Sequence, residues 1–141
     1  MLTIHGRATS SNVQLVMWAV NELALPHRRL DVGGAFGGTD TPAFGAMNPN
    51  RKVPVLQDGA LTLFESCAIL RYLGAAYGDG AFWPRDPAAR AALDQWAEWG
   101  KVTLGPALMG PFAALVAAPP SRQDPAVVAR TAAAIRPLVA M

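Results

Sequence analysis

The feature that most constrains the fold is the alternation of short hydrophobic patterns in the first 77 residues. Residues 1–6 alternate weakly, as in a short strand, and residues 10–25 carry apolar side chains every three or four positions, as in a helix with one buried face. A second strand is expected at 27–32 and a short helix at 42–47. The order to this point is β-α-β-α.

The next thirty residues add a hairpin and a third helix. Residues 53–56 predict a strand with Pro54 inside it, and Asp58-Gly59 is a tight-turn pair before a second strand at 61–64. Ser66 is expected to cap a helix that runs through residue 77. The complete order, β-α-β-α-β-β-α, matches a thioredoxin-like α/β fold.

The rest of the chain has a different composition. Residues 78–87 are rich in Gly, Pro and Asp and indicate a linker, and residues 88–141 are alanine-rich and helical. Two Gly-Pro pairs, at 105–106 and 110–111, predict a kinked helix or two segments that end at Pro119-Pro120. A further helix is expected from about Asp124. The sequence therefore predicts a thioredoxin-like domain at 1–77 and an incomplete all-α domain at 88–141.

Charge and cysteine content narrow the function classes. Twelve Lys and Arg residues against ten Asp and Glu are too even for a nucleic-acid surface. The single cysteine, Cys67, permits neither a disulfide framework nor a Cys-x-x-Cys pair, and we expect it to be a small buried side chain. With no signal pattern and no apolar run long enough to span a bilayer, the sequence predicts a soluble cytoplasmic protein that does not bind a membrane. His5 and His27 share no ligand spacing with acids or cysteines, so no metal site is predicted.

Three short segments carry the polar residues suited to chemistry. They are Ser10-Ser11-Asn12, Lys52-Val53-Pro54 and Glu65-Ser66. With the Asn48-Pro49 that precedes the second and the Cys67-Ala68-Ile69-Leu70-Arg71-Tyr72-Leu73 that follows the third, they resemble the glutathione-binding half of glutathione transferases. The Ser-Ser-Asn-Val-Gln opening is similar to bacterial theta-like and nu-like members. The resemblance extends from residue 1 to about residue 118.

The resemblance implies how glutathione would be bound. In the family the Val-Pro peptide bond is cis, and Val53, next to Lys52, would offer its backbone N–H and C=O to the cysteinyl part of glutathione. The helix that starts at Glu65-Ser66 would receive the γ-glutamyl carboxylate at its positive N-terminus, with Glu65 pairing to the γ-glutamyl ammonium. The alternatives are an ordinary edge-strand proline and a helix cap without a ligand.

The resemblance also implies a residue that activates the thiol. Ser10 matches the theta-like serine and would donate a hydrogen bond to the glutathione thiolate at a helix N-terminus. Asn12 matches the asparagine that nu-like members use near the sulfur, and Ser11 is a further candidate. The alternative is that all three residues only cap the helix.

These implications favour a homodimeric enzyme that uses glutathione as co-substrate against an electrophile or a disulfide. The competing interpretation is a non-catalytic glutathione-binding or interaction module. A thioredoxin-type redox protein is disfavoured because Cys-x-x-Cys is absent. Family members usually carry further helices, so we expect the helical part to be incomplete and unstable after about Pro119.

Overall fold

The structure is a computed structural model that describes residues 1–117, 119, 121 and 124–140. Pro120 and Met141, which fall within the helical region predicted above, lie outside the described residues. The chain divides into two compact units, Met1–Arg85 and Asp86–Met141.

The first unit has the predicted thioredoxin-like order of elements. Its strands are β1 (Leu2–His5), β2 (His27–Leu30), β3 (Val55–Asp58) and β4 (Leu61–Phe64), and its helices are α1 (Ser11–Glu22), α2 (Pro42–Met47) and α3 (Ser66–Tyr77). The four strands form one sheet in the order β2-β1-β3-β4. The β1–β2 pair is parallel and the other two pairs are antiparallel, so the predicted α/β fold class is confirmed.

Among the element boundaries that differ from the prediction, two have a clear physical reason. Strand β3 begins at Val55, so Pro54 precedes the strand and does not lie inside it. The reason is that proline has no N–H to donate to the sheet. Helix α1 ends at Glu22 instead of residue 25, because Ala24 has a positive φ of 50° that a right-handed helix cannot contain.

The hydrophobic core of this unit is formed by the sheet together with α1 and α3. The fully buried large side chains include Ile4 and Leu56 from the sheet, Val16 from α1, and Ile69 and Leu73 from α3. Burial of a side chain of this size contributes about 1.5–3 kcal/mol. The core therefore holds α1 and α3 firmly, and with them the two helix N-termini that the sequence places in the candidate site.

Helix α3 is also held at its C-terminal half. The hydroxyl of Tyr72 donates a hydrogen bond of 2.6 Å to the Asp58 carboxylate in the β3–β4 hairpin, and the hydroxyl of Tyr77 donates to the same oxygen. Both bonds lower the pKa of Asp58, and the bond from Tyr72 has the larger effect. The same bond to Asp58 raises the pKa of Tyr72. The hairpin and the helix that follows it are thus tied together.

Residues 78–85, which we call the strap, belong to the first unit although their composition indicates a linker. Phe82 packs against the hydrophobic core. Trp83 lies so close to Gly74 that a Cβ at position 74 would be 2.7 Å from the Trp83 Cβ. The strap is therefore packed onto α3.

The second unit is helical. Helix α4 (Pro87–Trp99) is capped by Asp86 and continues through a π-helical turn, Gly100–Leu104, into α5 (Gly105–Phe112) and a second π-helical turn, Ala113–Ala117. The first Gly-Pro pair opens α5 directly after a π-helical turn, whereas the second, Gly110-Pro111, lies inside α5 and does not end it. Helix α6 (Pro125–Val139) starts after its cap, Asp124, as predicted.

The helices of the second unit bury little by themselves. None of its described side chains falls in the buried class. Its exposed large apolar side chains are Leu93, Trp96, Val102, Leu108, Met109, Phe112, Leu115 and Val139. In the part of the chain that the structure describes, no helix is long and apolar enough to cross a membrane.

Candidate functional site

The three candidate segments meet at one edge of the sheet. The register pairs His5 of β1 with Val55 of β3, and Val55 in turn with Phe64 of β4. Because β3 is antiparallel to both neighbours, its beginning lies beside the ends of β1 and β4. The loop after β1, the Val53–Pro54 segment before β3 and Glu65 after β4 are therefore adjacent.

The middle segment presents a backbone donor and acceptor. The Val53–Pro54 peptide bond is cis, as the resemblance implied. The N–H and C=O of Val53 form no hydrogen bond with any residue that the structure describes, although Val53 is half-buried. Buried backbone groups are nearly always paired, so these two are suited to pair with a ligand.

A residue that the sequence analysis gave no separate role holds this segment in place. Asn48 is 2% exposed, and its amide nitrogen donates 2.7 Å to the Lys52 carbonyl while its side-chain oxygen accepts 2.9 Å from the Asn50 N–H. The side chain of Lys52 itself is exposed. Asn48 thus fixes the turn that leads into Val53, a role that its place in a polar turn does not reveal.

Ser10 stands at the N-cap position of α1, but its side chain does not cap the helix. It is 8% exposed, and its hydroxyl makes no hydrogen bond with the other described residues. Every fully buried side-chain nitrogen or oxygen in the described part of the chain has a partner, so the hydroxyl of Ser10 must reach the surface. It is a polar group at a helix N-terminus that is still able to donate and accept.

The two neighbours of Ser10 are placed differently. Ser11 is exposed on the first turn of α1. Asn12 is half-buried, and its side-chain oxygen accepts a hydrogen bond from the Ser66 hydroxyl at 3.4 Å. This long bond joins the first turns of α1 and α3, two segments separated by 54 residues in the sequence.

The prediction that Ser66 caps α3 is wrong. The residue at the cap is Glu65, and Ser66, 1% exposed, is the first residue of the helix. Glu65 has a positive φ of 68°, which a residue with a Cβ rarely adopts. Its exposed carboxylate forms no hydrogen bond with another described residue. A strained backbone that presents an unengaged carboxylate beside a helix N-terminus is suited to a ligand with both signs of charge.

Cys67 follows Ser66 and is 8% exposed, so its prediction as a small buried side chain is confirmed. Among the described residues no three His, Cys, Asp or Glu side chains come together as they would around a metal ion. The three candidate segments bring together hydroxyls, backbone groups, the Asn12 amide, the Glu65 carboxylate and two helix N-termini.

The chain is similar to known glutathione S-transferases in sequence. The family model for the glutathione S-transferase N-terminal domain matches residues 9–76. Glutathione S-transferase GstB of Escherichia coli (strain K12) is 42% identical over 130 residues, which are 91% of this chain and 62% of GstB. Human glutathione S-transferase theta-1 is 48% identical over 63 residues, or 44% of this chain and 26% of the human protein.

A solved structure extends the likeness to the helical unit. The theta class glutathione S-transferase of Xanthomonas axonopodis pv. citri, crystallised with glutathione bound, is 44% identical with a TM-score of 0.92. The match covers 99% of this chain and 67% of that one. The chain thus spans about two thirds of that protein and somewhat less of GstB.

Proposed function

The chain belongs to the glutathione S-transferase family, and from that premise we propose that it binds glutathione and stabilises its thiolate for attack on a small electrophile or a disulfide. The observation that carries the proposal is the meeting of Ser10, Val53 and Glu65 at one edge of the sheet, each with polar groups that the described residues leave unengaged. Glu65 suits the γ-glutamyl part of glutathione, Val53 suits the backbone of the cysteinyl part, and Ser10 suits the thiol of that cysteine.

The γ-glutamyl part would lie at the start of α3. Its carboxylate would accept from the N–H groups of the first turn, next to Ser66, and the positive end of the helix dipole favours that charge. The Glu65 carboxylate would pair with the ammonium group. The ammonium and the carboxylate are attached to the same carbon of the γ-glutamyl group, so their two binding partners must lie side by side. Glu65 and the helix N-terminus at Ser66 are adjacent in this way.

The cysteinyl part would pair with the backbone of Val53, with Lys52 alongside, as an added strand pairs with a sheet edge. The thiol would then face the N-terminus of α1. Ser10 would donate its hydroxyl to the thiolate after the proton has left to solvent. Lowering the thiol pKa by about two units needs roughly 2.7 kcal/mol, which a charge-assisted bond and a helix terminus together can supply.

Asn12 and Ser11 are the competing donors to the sulfur. Asn12 already accepts from Ser66, and Ser11 is exposed, whereas the hydroxyl of Ser10 has no such bond within the described residues. If Asn12→Ala raises the pH at which bound glutathione ionises and Ser10→Ala does not, the two roles are exchanged. Thiolate absorbance of the bound ligand measures this.

The experiment that tests the function is retention on immobilised glutathione, followed by assays with a model electrophile and with a mixed disulfide. Retention and turnover support the proposal. Retention without turnover in either assay would instead favour the non-catalytic binding module, and the absence of retention would remove the glutathione site altogether.

We also propose a homodimer in which α4 and the segment before it lie near the interface. The exposed apolar side chains of the second unit are the support, because large apolar patches in water mark interaction surfaces. Sedimentation at micromolar concentration should give the mass of two chains, and a single-chain mass would refute the proposal.

A further inference from the structure

Arg7 lies in the loop between β1 and α1, three residues before Ser10. Its backbone is held on both sides, since its N–H donates 3.0 Å to the Val32 carbonyl and its C=O accepts 3.2 Å from the Ser10 N–H. The side chain is half-buried, yet its guanidinium forms no hydrogen bond or ion pair with any residue that the structure describes. A guanidinium has five N–H donors, and those of Arg7 are therefore available to solvent or to a ligand.

The Gly33–Gly34 backbone is shaped around this side chain. A Cβ on Gly34 would lie 3.0 Å from Cδ and 3.1 Å from Nε of Arg7, so any larger residue at position 34 would press on the Arg7 side chain. Both glycines also have positive φ, 83° and 60°. The position where Gly33 would carry a Cβ is 3.3 Å from Nη1 of Arg7 and 3.4 Å from both the Thr39 Cγ2 and the Val53 Cγ1. The guanidinium therefore lies close to Val53.

Other cations near this edge are engaged or exposed. Arg29 donates 2.7 Å to the Gly6 carbonyl and forms an ion pair with Asp31. Arg51 donates to the carbonyls of Thr39 and Thr41. Lys52 is exposed and carries a compact ammonium without the planar fork that matches a carboxylate.

The strand order decides which part of the ligand reaches Arg7. At this edge Glu65 lies on the β4 side of Val53, whereas Arg7 and Gly33 lie on the opposite side, after β1 and β2. An extended peptide spans about 3.3–3.6 Å per residue. If the γ-glutamyl group occupies the start of α3 and the cysteinyl group pairs with Val53, the third residue extends toward Arg7.

We propose that Arg7 binds the glycyl carboxylate of glutathione, in a cradle that Gly33 and Gly34 leave open for it. This inference rests on the proposed function. It makes Arg7 a residue that distinguishes glutathione from γ-glutamyl thiols without a carboxylate at that end, because a guanidinium and a carboxylate form two parallel charge-assisted hydrogen bonds.

The test compares glutathione with its glycine amide, in which the glycyl carboxylate is replaced by a neutral carboxamide. Calorimetric titration of the wild-type chain should show at least tenfold tighter binding of glutathione. Arg7→Met should bind the two forms with equal affinity, near that of the wild type for the amide. The control variant is Arg28→Met, which removes a positive charge from an exposed β2 side chain that donates to Thr3. It should still bind glutathione more tightly than the amide.

The outcomes separate the two proposals. If the wild type binds both forms equally, the assignment of Arg7 is refuted while the glutathione site stands, and this measurement needs no variant to fold. If Arg7→Met keeps the preference, or only Lys52→Met removes it, the assignment is likewise refuted. If the wild type binds neither form, the proposed function itself fails. Unchanged amide binding by Arg7→Met shows that the variant is folded.

Discussion

Replacing Glu65 by glycine should stabilise the fold while removing ligand binding. Glu65 sits at a φ of 68°, a region that glycine occupies without steric cost. Holding a residue with a Cβ in such a region costs on the order of 1–3 kcal/mol, and the greater freedom of glycine in the unfolded chain offsets roughly 0.5–1 kcal/mol of the gain. We therefore expect the free energy of unfolding to rise by about 1 kcal/mol.

The matched variant Glu65→Gln keeps the strained backbone and removes only the charge. For a unit of this size, 1 kcal/mol corresponds to a Tm shift of about 4–8 °C, so Glu65→Gly should unfold at a clearly higher temperature and Glu65→Gln close to the wild type. Both variants should bind glutathione at least tenfold more weakly, about 1.4 kcal/mol, because both lose the partner of the ammonium group.

Thermal unfolding followed by circular dichroism and calorimetric titration measure the two effects separately. A lower Tm for Glu65→Gly would show that the backbone at this position is not strained. Unchanged affinity in Glu65→Gln would show that the carboxylate does not meet the ligand. Opposite signs of the two effects in Glu65→Gly would mean that this residue gives up stability for binding.

Two further predictions concern the thiol and the pH dependence. Ser10→Ala should lower turnover at least tenfold with little change in glutathione affinity, because its bond is made to the reactive form; equal losses in both would contradict this. Asp58 has a folded-state pKa below its unfolded value, so its contribution to stability is present above about pH 4 and is lost as the pH falls through the folded pKa. Asp58→Asn should therefore be less stable than wild type in urea titrations at pH 7, with the difference shrinking at low pH, and a difference that does not change with pH would refute the role of the carboxylate.

The order of elements in the first unit could be predicted because each element carries its own local signal. The α2 bounds, Pro42–Met47, agree with the prediction, since Thr41 caps the helix and Pro42 opens it. The β3 start could not be predicted as well, because Val53 has strand propensity and only the missing N–H of Pro54 moves the strand to Val55.

The site was predictable as three segments but not as an arrangement. Serine is favoured over glutamate at the N-cap of a helix, so propensity alone predicts Ser66 as the cap. The cap is Glu65 because its backbone has a positive φ, which the sequence pattern does not predict. The bond between Asn12 and Ser66 joins segments 54 residues apart. Arg7 gave no signal at all, because its setting exists only once Gly33 and Gly34 fold against it.

The strap has a consequence for dividing the protein into pieces. A fragment that ends at Tyr77 would contain every strand and helix of the first unit, yet it would lack Phe82, which lines an apolar depression with Leu15 and Leu70. It would also leave the groove at Gly74 without Trp83. The peptide bond between Arg85 and Asp86 is the better place to divide the chain. The strap then remains in the fragment whose core it packs against, and α4 keeps its N-cap residue, Asp86.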